Sequence, residues 1–413
     1  MAGPVLAVPQ WQALPAAPQS VRMDDVHFLD ADRGWVCTAE GRIHHTTDGG
    51  SSWTLQHDDP ALYFRSLRFA DALRGFAGTL NSDDLLYRTT DGGGTWASVP
   101  GIPEPRPNAI CGLAVASSQV IFGVGSYSEP ARMIHTTDGG ASWASRDLAP
   151  LASTLIDVQF RSATEGLAVG SVGSFPAQSR SVVLRTTDGG TTWQRVWLGS
   201  RNGEWGWKIT FPSASVGYVS LERFLGPMFF LKTTDGGATW NDHGFPNYNE
   251  QGIGFATPLV GWVGGANNPT LGTTDGGASW TPTPWGDYLN RFQFLSPTLG
   301  YGSGVTVYKY AEGAVGTPGP APPPLALRAG PNPFVAQTTI RFALAAPTPI
   351  RLFVADPSGR VVRELERGTR AAGAHVVVWD GRDDRGAPAP AGIYLYVLHA
   401  GPRHEMGKLV RVR

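Results

Sequence analysis

The chain has 413 residues, with 53 glycines, 33 prolines, 14 tryptophans and 41% hydrophobic side chains. That much Gly and Pro marks a turn-rich fold, and the apolar content is too high for a disordered chain. A net charge of −1 and the lack of any Lys/Arg run exclude a polybasic nucleic-acid binder, and no apolar run is long enough to span a membrane as a helix.

In chain order, Met1–Gln10 has neither the basic start nor the long apolar centre of an export signal. Trp11-Gln-Ala-Leu14 comes next, followed by a repeated unit. Its first mark is a pair of apolar residues spaced by two: Val26/Phe28, Leu67/Phe69, Leu113/Val115, Val158/Phe160, Ile209/Phe211, Ile253/Phe255 and Phe292/Phe294. This spacing puts both side chains on one face of a strand. In six of the seven a glycine follows six residues later, at Gly34, Gly75, Gly166, Gly217, Gly261 and Gly300.

The second mark is the octet Thr-Thr-Asp-Gly-Gly-x-Ser/Thr-Trp, at Thr46–Trp53, Thr89–Trp96, Thr136–Trp143, Thr186–Trp193, Thr233–Trp240 and Thr273–Trp280. Its aspartates, Asp48, Asp91, Asp138, Asp188, Asp235 and Asp275, recur at the period of one four-stranded propeller blade. Each repeat reads as strand A (the apolar pair), strands B and C, the octet turn, and strand D. Seven A strands face only six octets. Trp11–Leu14 resembles the stretch after each octet Trp and is expected to supply strand D of the last blade, closing residues 1–312 into a seven-bladed β-propeller.

The octet resembles the Asp-box of sialidase-type propellers. Six copies carry that resemblance across nearly the whole repeat region. It implies turns on the outer part of the blades, away from the centre. The residue chemistry agrees: an Asp accepts the N–H groups of its own turn, and Gly supplies positive φ. One acid per blade around a ring cannot converge on a substrate or ion, so the six aspartates read as structural. The resemblance extends to photosystem II assembly factors, which are seven-bladed Asp-box binders.

Residues 313–326, rich in Pro, Gly and Ala, read as a semi-rigid spacer. Beyond it, strands are expected at Thr338–Leu344, Ile350–Ala355, Val361–Leu365, Ala374–Trp379, Gly392–Leu398 and Lys408–Val412. Residues 327–413 are therefore expected to form a small Ig-like β-sandwich. Pro331-Asn-Pro-Phe334, Asp356-Pro-Ser-Gly-Arg360, Trp379-Asp-Gly-Arg-Asp383 and Gly392-Ile-Tyr394, in that order, resemble the Ig-like domain of flagellar hook-capping proteins and of type IX secretion sorting domains. The resemblance implies a bacterial protein exported to the surface or beyond, with the secretion machinery as a partner. Asp380, Asp383 and Asp384 read as hairpin chemistry rather than a calcium site.

Cys37 and Cys111 sit among apolar strand residues and read as buried free thiols. The sialidase resemblance stops at the octets, since no Arg-Ile-Pro motif occurs. No His-x-x-x-His, nucleophile elbow or phosphate loop occurs either, and no metal or cofactor is expected. The loops entering strand A differ from blade to blade, as a grafted site requires. They and the first residues of the A strands carry Arg22, Arg65, Arg106, Glu204, Trp205, Trp207, Tyr248, Glu250, Tyr288 and Arg291. Such aromatic and polar groups suit an extracellular glycan or protein, although Trp205 and Trp207 read equally well as blade packing. Glu204 and Glu250 are the one pair that acid/base chemistry could use. The function expected is a non-enzymatic binding or scaffold protein. A glycan-active hydrolase and a subunit of an extracellular layer or filament are the alternatives.

Overall fold

The computed structural model describes residues 9–126, 130–224, 226–245, 251–265, 269–312, 325, 327–344, 346–357, 360–400 and 403–412. The chain divides into two compact units, 1–313 and 314–413. The first is a seven-bladed propeller in which each blade is an antiparallel sheet of four strands. The A strands are Asp25–Phe28, Phe64–Phe69, Gly112–Val115, Thr154–Phe160, Glu204–Thr210, Gly252–Phe255 and Arg291–Ser296, and each touches the A strands of both neighbours, so they form the inner ring.

The ring closes between the first described strand and the last blade. Gln10–Ala13 pairs antiparallel with Val307–Ala311 and completes the last sheet. Trp11 anchors the closure, stacking on Trp285 at 4.6 Å and packing edge-on to Trp262 at 5.5 Å. Closure gives the last blade its fourth strand, drawn from the other end of the repeat region.

The A-strand phenylalanines explain the spaced glycines. A Cβ added at Gly34, Gly75, Gly166, Gly217, Gly261 or Gly300 would lie 2.3–2.7 Å from the ring of Phe28, Phe69, Phe160, Phe211, Phe255 or Phe294 respectively. Each ring thus lies flat over the glycine of strand B in its own blade. The third blade tests the rule, because its A strand ends in Val115, which pairs with Ile121 where the others have Gly. On its other side the ring meets strand B of the preceding blade, as in Tyr301 on Phe28 at 3.4 Å, Trp35 on Phe69 at 3.5 Å and Tyr218 on Phe255 at 3.6 Å.

Each octet is the C–D turn. In the first, Thr46 Oγ1 donates to Asp48 Oδ1 at 2.8 Å and accepts from Gly50 N at 2.9 Å, while Ser52 N donates to Asp48 Oδ1 at 2.8 Å. Gly49 and Gly50 take φ of 68° and 90°, which a side chain would resist. The same bonds recur at Asp91, Asp138, Asp188, Asp235 and Asp275. The Trp that ends the octet packs edge-to-face on a phenylalanine, for example Trp53 on Phe28 at 6.2 Å and Trp193 on Phe160 at 6.1 Å.

The second unit is a sandwich of two sheets. One holds Arg328–Gly330, Thr338–Leu344 and Gly373–Trp379; the other holds Val361–Arg370, Thr348–Ala355, Gly392–Ala400 and Arg403–Arg411. Between them lie Phe334, Leu352, Trp379, Tyr394 and Leu398. Asp380, Asp383 and Asp384 each accept backbone N–H groups of this unit, from Arg382, Ala387 and Glu364 respectively. Of the spacer 313–326, only Leu325 falls among the described residues.

Replacing Trp11 by Ala is expected to cost about 3–5 kcal/mol in urea unfolding, the range for emptying a large aromatic site. Gly166→Ile is expected to destabilise by about 3 kcal/mol through overpacking against Phe160. Adding Phe160→Val, which copies the third blade, should recover at least about 1 kcal/mol of that loss in a double-mutant cycle.

Candidate functional site

Antiparallel order gives the propeller two faces. The loops entering strand A and the B–C loops lie on one, here the loop face; the A–B turns and the octets lie on the other, the turn face. The residue just before each apolar pair starts the inner lining, and these seven positions are Asp25, Ser66, Gly112, Asp157, Lys208, Gly252 and Arg291. Arg291 bridges three blades, with Nε 3.0 Å from Asp25 Oδ1 and with Nη1 and Nη2 at 2.9 and 2.7 Å from the Asp157 carboxylate. The two aspartates also tie neighbouring blades, accepting from Leu67 N at 3.0 Å and Ile209 N at 3.1 Å. Arg68 adds a bond to Asp25 at 2.7 Å.

Burial alone would raise Asp25 and Asp157, yet the Arg291 guanidinium and the other nearby cations hold both well below the usual carboxylate range. Lys208 is 1% exposed, and its Nζ has no hydrogen-bond partner among the described residues. Burial, followed by repulsion from Arg291 and Arg65, pushes its amine down to about 7, against the opposing pull of Asp157 and Asp25.

One layer toward the loop face is a second buried cluster. Asp24 pairs with Arg22 and Arg65, both at 2.6 Å, and accepts from Tyr63 OH at 2.5 Å. Asn290 donates to Asp24 at 2.6 Å and accepts from Trp207 Nε1 at 3.0 Å. Arg22 donates to Tyr288 OH at 2.5 Å, and the Arg65 guanidinium lies 5.0 Å from the Trp207 ring. Tyr288 has φ of 53°, a strained setting for a side chain.

The structure therefore gathers Arg22, Arg65, Trp207, Tyr288 and Arg291 around the axis, all at most 7% exposed. It places Glu204 and Trp205 apart from them. Glu204 is buried, accepting from Ser181 Oγ at 2.7 Å and from Arg201 Nε at 2.7 Å, and Trp205 packs on Phe175 at 4.7 Å. Arg106 is on the surface, paired with Glu104 at 3.0 Å. Tyr248 and Glu250 lie outside the described residues. The sequence reading missed Asp24, Asp25, Arg68, Asp157, Lys208 and Asn290. The signal for all but Arg68 was a polar residue one or two positions before the apolar pair.

An open concavity of about 520 Å³ lies instead at the turn-face end of the channel. Residues at or just beyond the ends of all seven A strands line it, among them His27, Arg68, Gln159, Phe211, Phe255 and Phe294, with Arg291 among its walls. Cys37 and Cys111 are buried free thiols, and burial raises Cys111 to about 11. No cluster of His, Cys, Asp and Glu fit for a metal occurs among the described residues, and no helix long and apolar enough to cross a membrane occurs among them.

Fold and centre together define the class: an Asp-box seven-bladed propeller followed by an Ig-like sandwich. The family described as photosynthesis system II assembly factor YCF48 matches residues 4–127, and the FlgD Ig-like domain matches residues 334–401. Among solved structures, YCF48 bound to D1 peptide is similar over 74% of this chain and 99% of its own, at 17% identity and a TM-score of 0.55. PorZ, a surface component of the type IX secretion system of Porphyromonas gingivalis, is similar over 96% of this chain and 60% of its own, at 13% identity and a TM-score of 0.53. An ancestral GH74 enzyme is similar over 97% of this chain and 63% of its own, at 14% identity and a TM-score of 0.52. At these identities the likeness establishes the fold. No curated protein matches the chain.

An amine that titrates near 7 when folded and near 10.5 when unfolded binds fewer protons in the folded state between those values, so stability rises with pH across that window. Urea midpoints are expected to climb from about pH 7 to about pH 9.5 in the wild type. In Lys208→Met the climb should be lost, and the variant should be the more stable one at pH 7, because a buried amine without a hydrogen-bond partner is gone.

Proposed function

We propose that the protein is a non-catalytic binding scaffold of the bacterial surface or exterior. The propeller holds a protein or glycan partner, and the Ig-like unit serves export or attachment through a type IX-like secretion machinery. The observation that carries this reading is how the charged groups of the channel are used. Arg22, Arg65, Asp24, Asp25, Asp157 and Arg291 bond to one another across blades, and Glu204 is held by Arg201 and Ser181. Such groups stiffen a platform and leave no free acid poised for chemistry among them. A hydrolase of the glycosidase kind needs two carboxyl groups about 5–10 Å apart, one of them free to exchange a proton.

Two neighbours support the binding role by analogy: YCF48 in complex with a D1 peptide, and PorZ as a surface component of a secretion system. The FlgD-type match over residues 334–401 supports the role given to the second unit.

The test is localisation in a bacterium with a type IX system, comparing the full chain, given an export signal, with a chain ending at Gly313. The full chain is expected at the outer surface, where added protease digests it, and the shortened chain is expected to stay in the periplasm. Equal distribution of the two would remove the export role. Turnover of a glycan substrate that Glu204→Gln abolishes would replace the scaffold reading with a hydrolase.

A further inference from the structure

The turn-face cavity combines three features that a mere vestibule would not need together. First, the lining ring below it holds a buried amine that no hydrogen bond among the described residues secures. Arg68 and Arg291 pair there with Asp25 and Asp157, and the Lys208 amine beside them has no hydrogen bond among the described residues. Burial holds that amine close to the point where it gives up its proton at neutral pH, and one added negative charge nearby favours its charged form.

Second, the polar groups on the cavity wall are uncommitted. Arg68 lines it with only Nη1 engaged among the described residues, by Asp25 and the Leu67 carbonyl, which leaves the rest of its fork to donate. The Gln159 amide makes no hydrogen bond among the described residues. His27 is bonded to the Phe69 backbone, and burial followed by the Arg68 charge pushes its imidazole down to about 3. Its Nε2 has no partner among the described residues and lies covered behind the wall, where a small shift of the ring would present it as an acceptor for an N–H or O–H. Third, the remaining wall includes the rings of Phe160, Phe211, Phe255 and Phe294, and the volume of about 520 Å³ is that of a small-ligand pocket.

We propose that this cavity binds a single carboxylate carried beside an N–H or O–H donor on an apolar-faced body. The carboxylate lies against Arg68 and the Gln159 amide, the donor meets His27 after a small side-chain adjustment, and the body packs on the phenylalanines. Lys208 touches nothing in the ligand and acts as a positioning charge from beneath. An acylated amino acid at a chain end and a hexuronic acid both present this chemistry. The inference rests on the propeller being a binding platform. It does not depend on export, so the localisation test and the test below fail separately.

Calorimetry on the full chain compares two pairs that differ only in the acid: N-acetylphenylalanine against its primary amide, and phenyl glucuronide against phenyl glucoside. At least one acid is expected to bind about ten-fold or more tightly than its neutral partner, a difference typical of a charge-assisted contact. The pair that does so identifies the source as peptide end or acidic sugar. Thr210→Trp fills the cavity without touching an ion pair and is expected to abolish binding. Gln159→Leu gives a second reading, a loss of several-fold, should the tryptophan variant fail to fold. Lys208→Met is expected to retain the fold and narrow the acid-to-neutral ratio several-fold. Acids that bind no better than their neutral partners, or fail to bind at millimolar concentration, overturn the proposal. So does acid binding that survives Thr210→Trp unchanged, or Gln159→Leu unchanged where the tryptophan variant does not fold. An unaltered ratio in Lys208→Met would overturn the charge argument.

Discussion

The architecture depends on a flat contact between a phenylalanine ring and a bare backbone. In six blades the last aromatic of strand A lies over a glycine of strand B, close enough that even a methyl group would collide with it. That contact fixes the ring's plane, and the plane then presents a second face to the neighbouring blade. Tyr301, Trp35, Phe122 and Tyr218 take that face at centroid distances of 3.4 to 4.2 Å. Packing within a blade and stacking between blades are thus parts of one interaction, and each pair brings area burial plus an aromatic term of about 0.5–1.5 kcal/mol. The third blade, with valine in place of phenylalanine and isoleucine in place of glycine, keeps the space filled by the opposite choice. Volume conservation across the pair matters more than either residue type.

The polar interior follows from that apolar geometry. When one face of strand A is given to aromatic packing, the residue just before the apolar pair is directed toward the axis, where seven strands converge. A charge there is cut off from water and must find its partner in another blade. Asp25, Asp157 and Arg291 meet this requirement, and the main-chain bonds that the two aspartates accept from Leu67 and Ile209 lock adjacent A strands in register. Removing one member of such a set costs far more than the set contributes, because the others are left charged in a dry place. The network is therefore a device for registration more than for net stability.

The periodic parts of this fold were legible in the residues and the aperiodic parts were not. Octets, apolar pairs and the leftover strand at Trp11 repeat seven-fold, or complete a seven-fold pattern, and repetition separates signal from chance. Sandwich strands such as Thr338–Leu344 were readable from alternation. Arg328–Gly330, three residues without a pattern, was not. The central residues defeat a one-dimensional reading for a physical reason. Arg65, Trp207, Tyr288 and Arg291 have the composition of a binding surface, and whether they face solvent or one another depends on the diameter of the channel. A guanidinium that reaches carboxylates on two other blades shows how narrow that channel is.

The same narrowness explains why the two faces differ. On the loop face, the long side chains of Arg22, Arg65, Trp207 and Tyr288 fill the axis and bond to each other. On the turn face, strand A ends in rings that lie flat against glycine instead of pointing inward, so the centre is left empty. A propeller built on ring-over-glycine contacts therefore opens on the side where its aromatic residues are most ordered. A concavity at that end arises as a by-product of the packing that holds the blades together, with rigid walls and a charged floor already in place. Rigid, pre-formed walls cut the ordering cost of binding. Recognition at that end can then evolve by changing only the residues at the ends of the A strands, such as His27, Arg68 and Gln159, while the scaffold beneath them stays as it is.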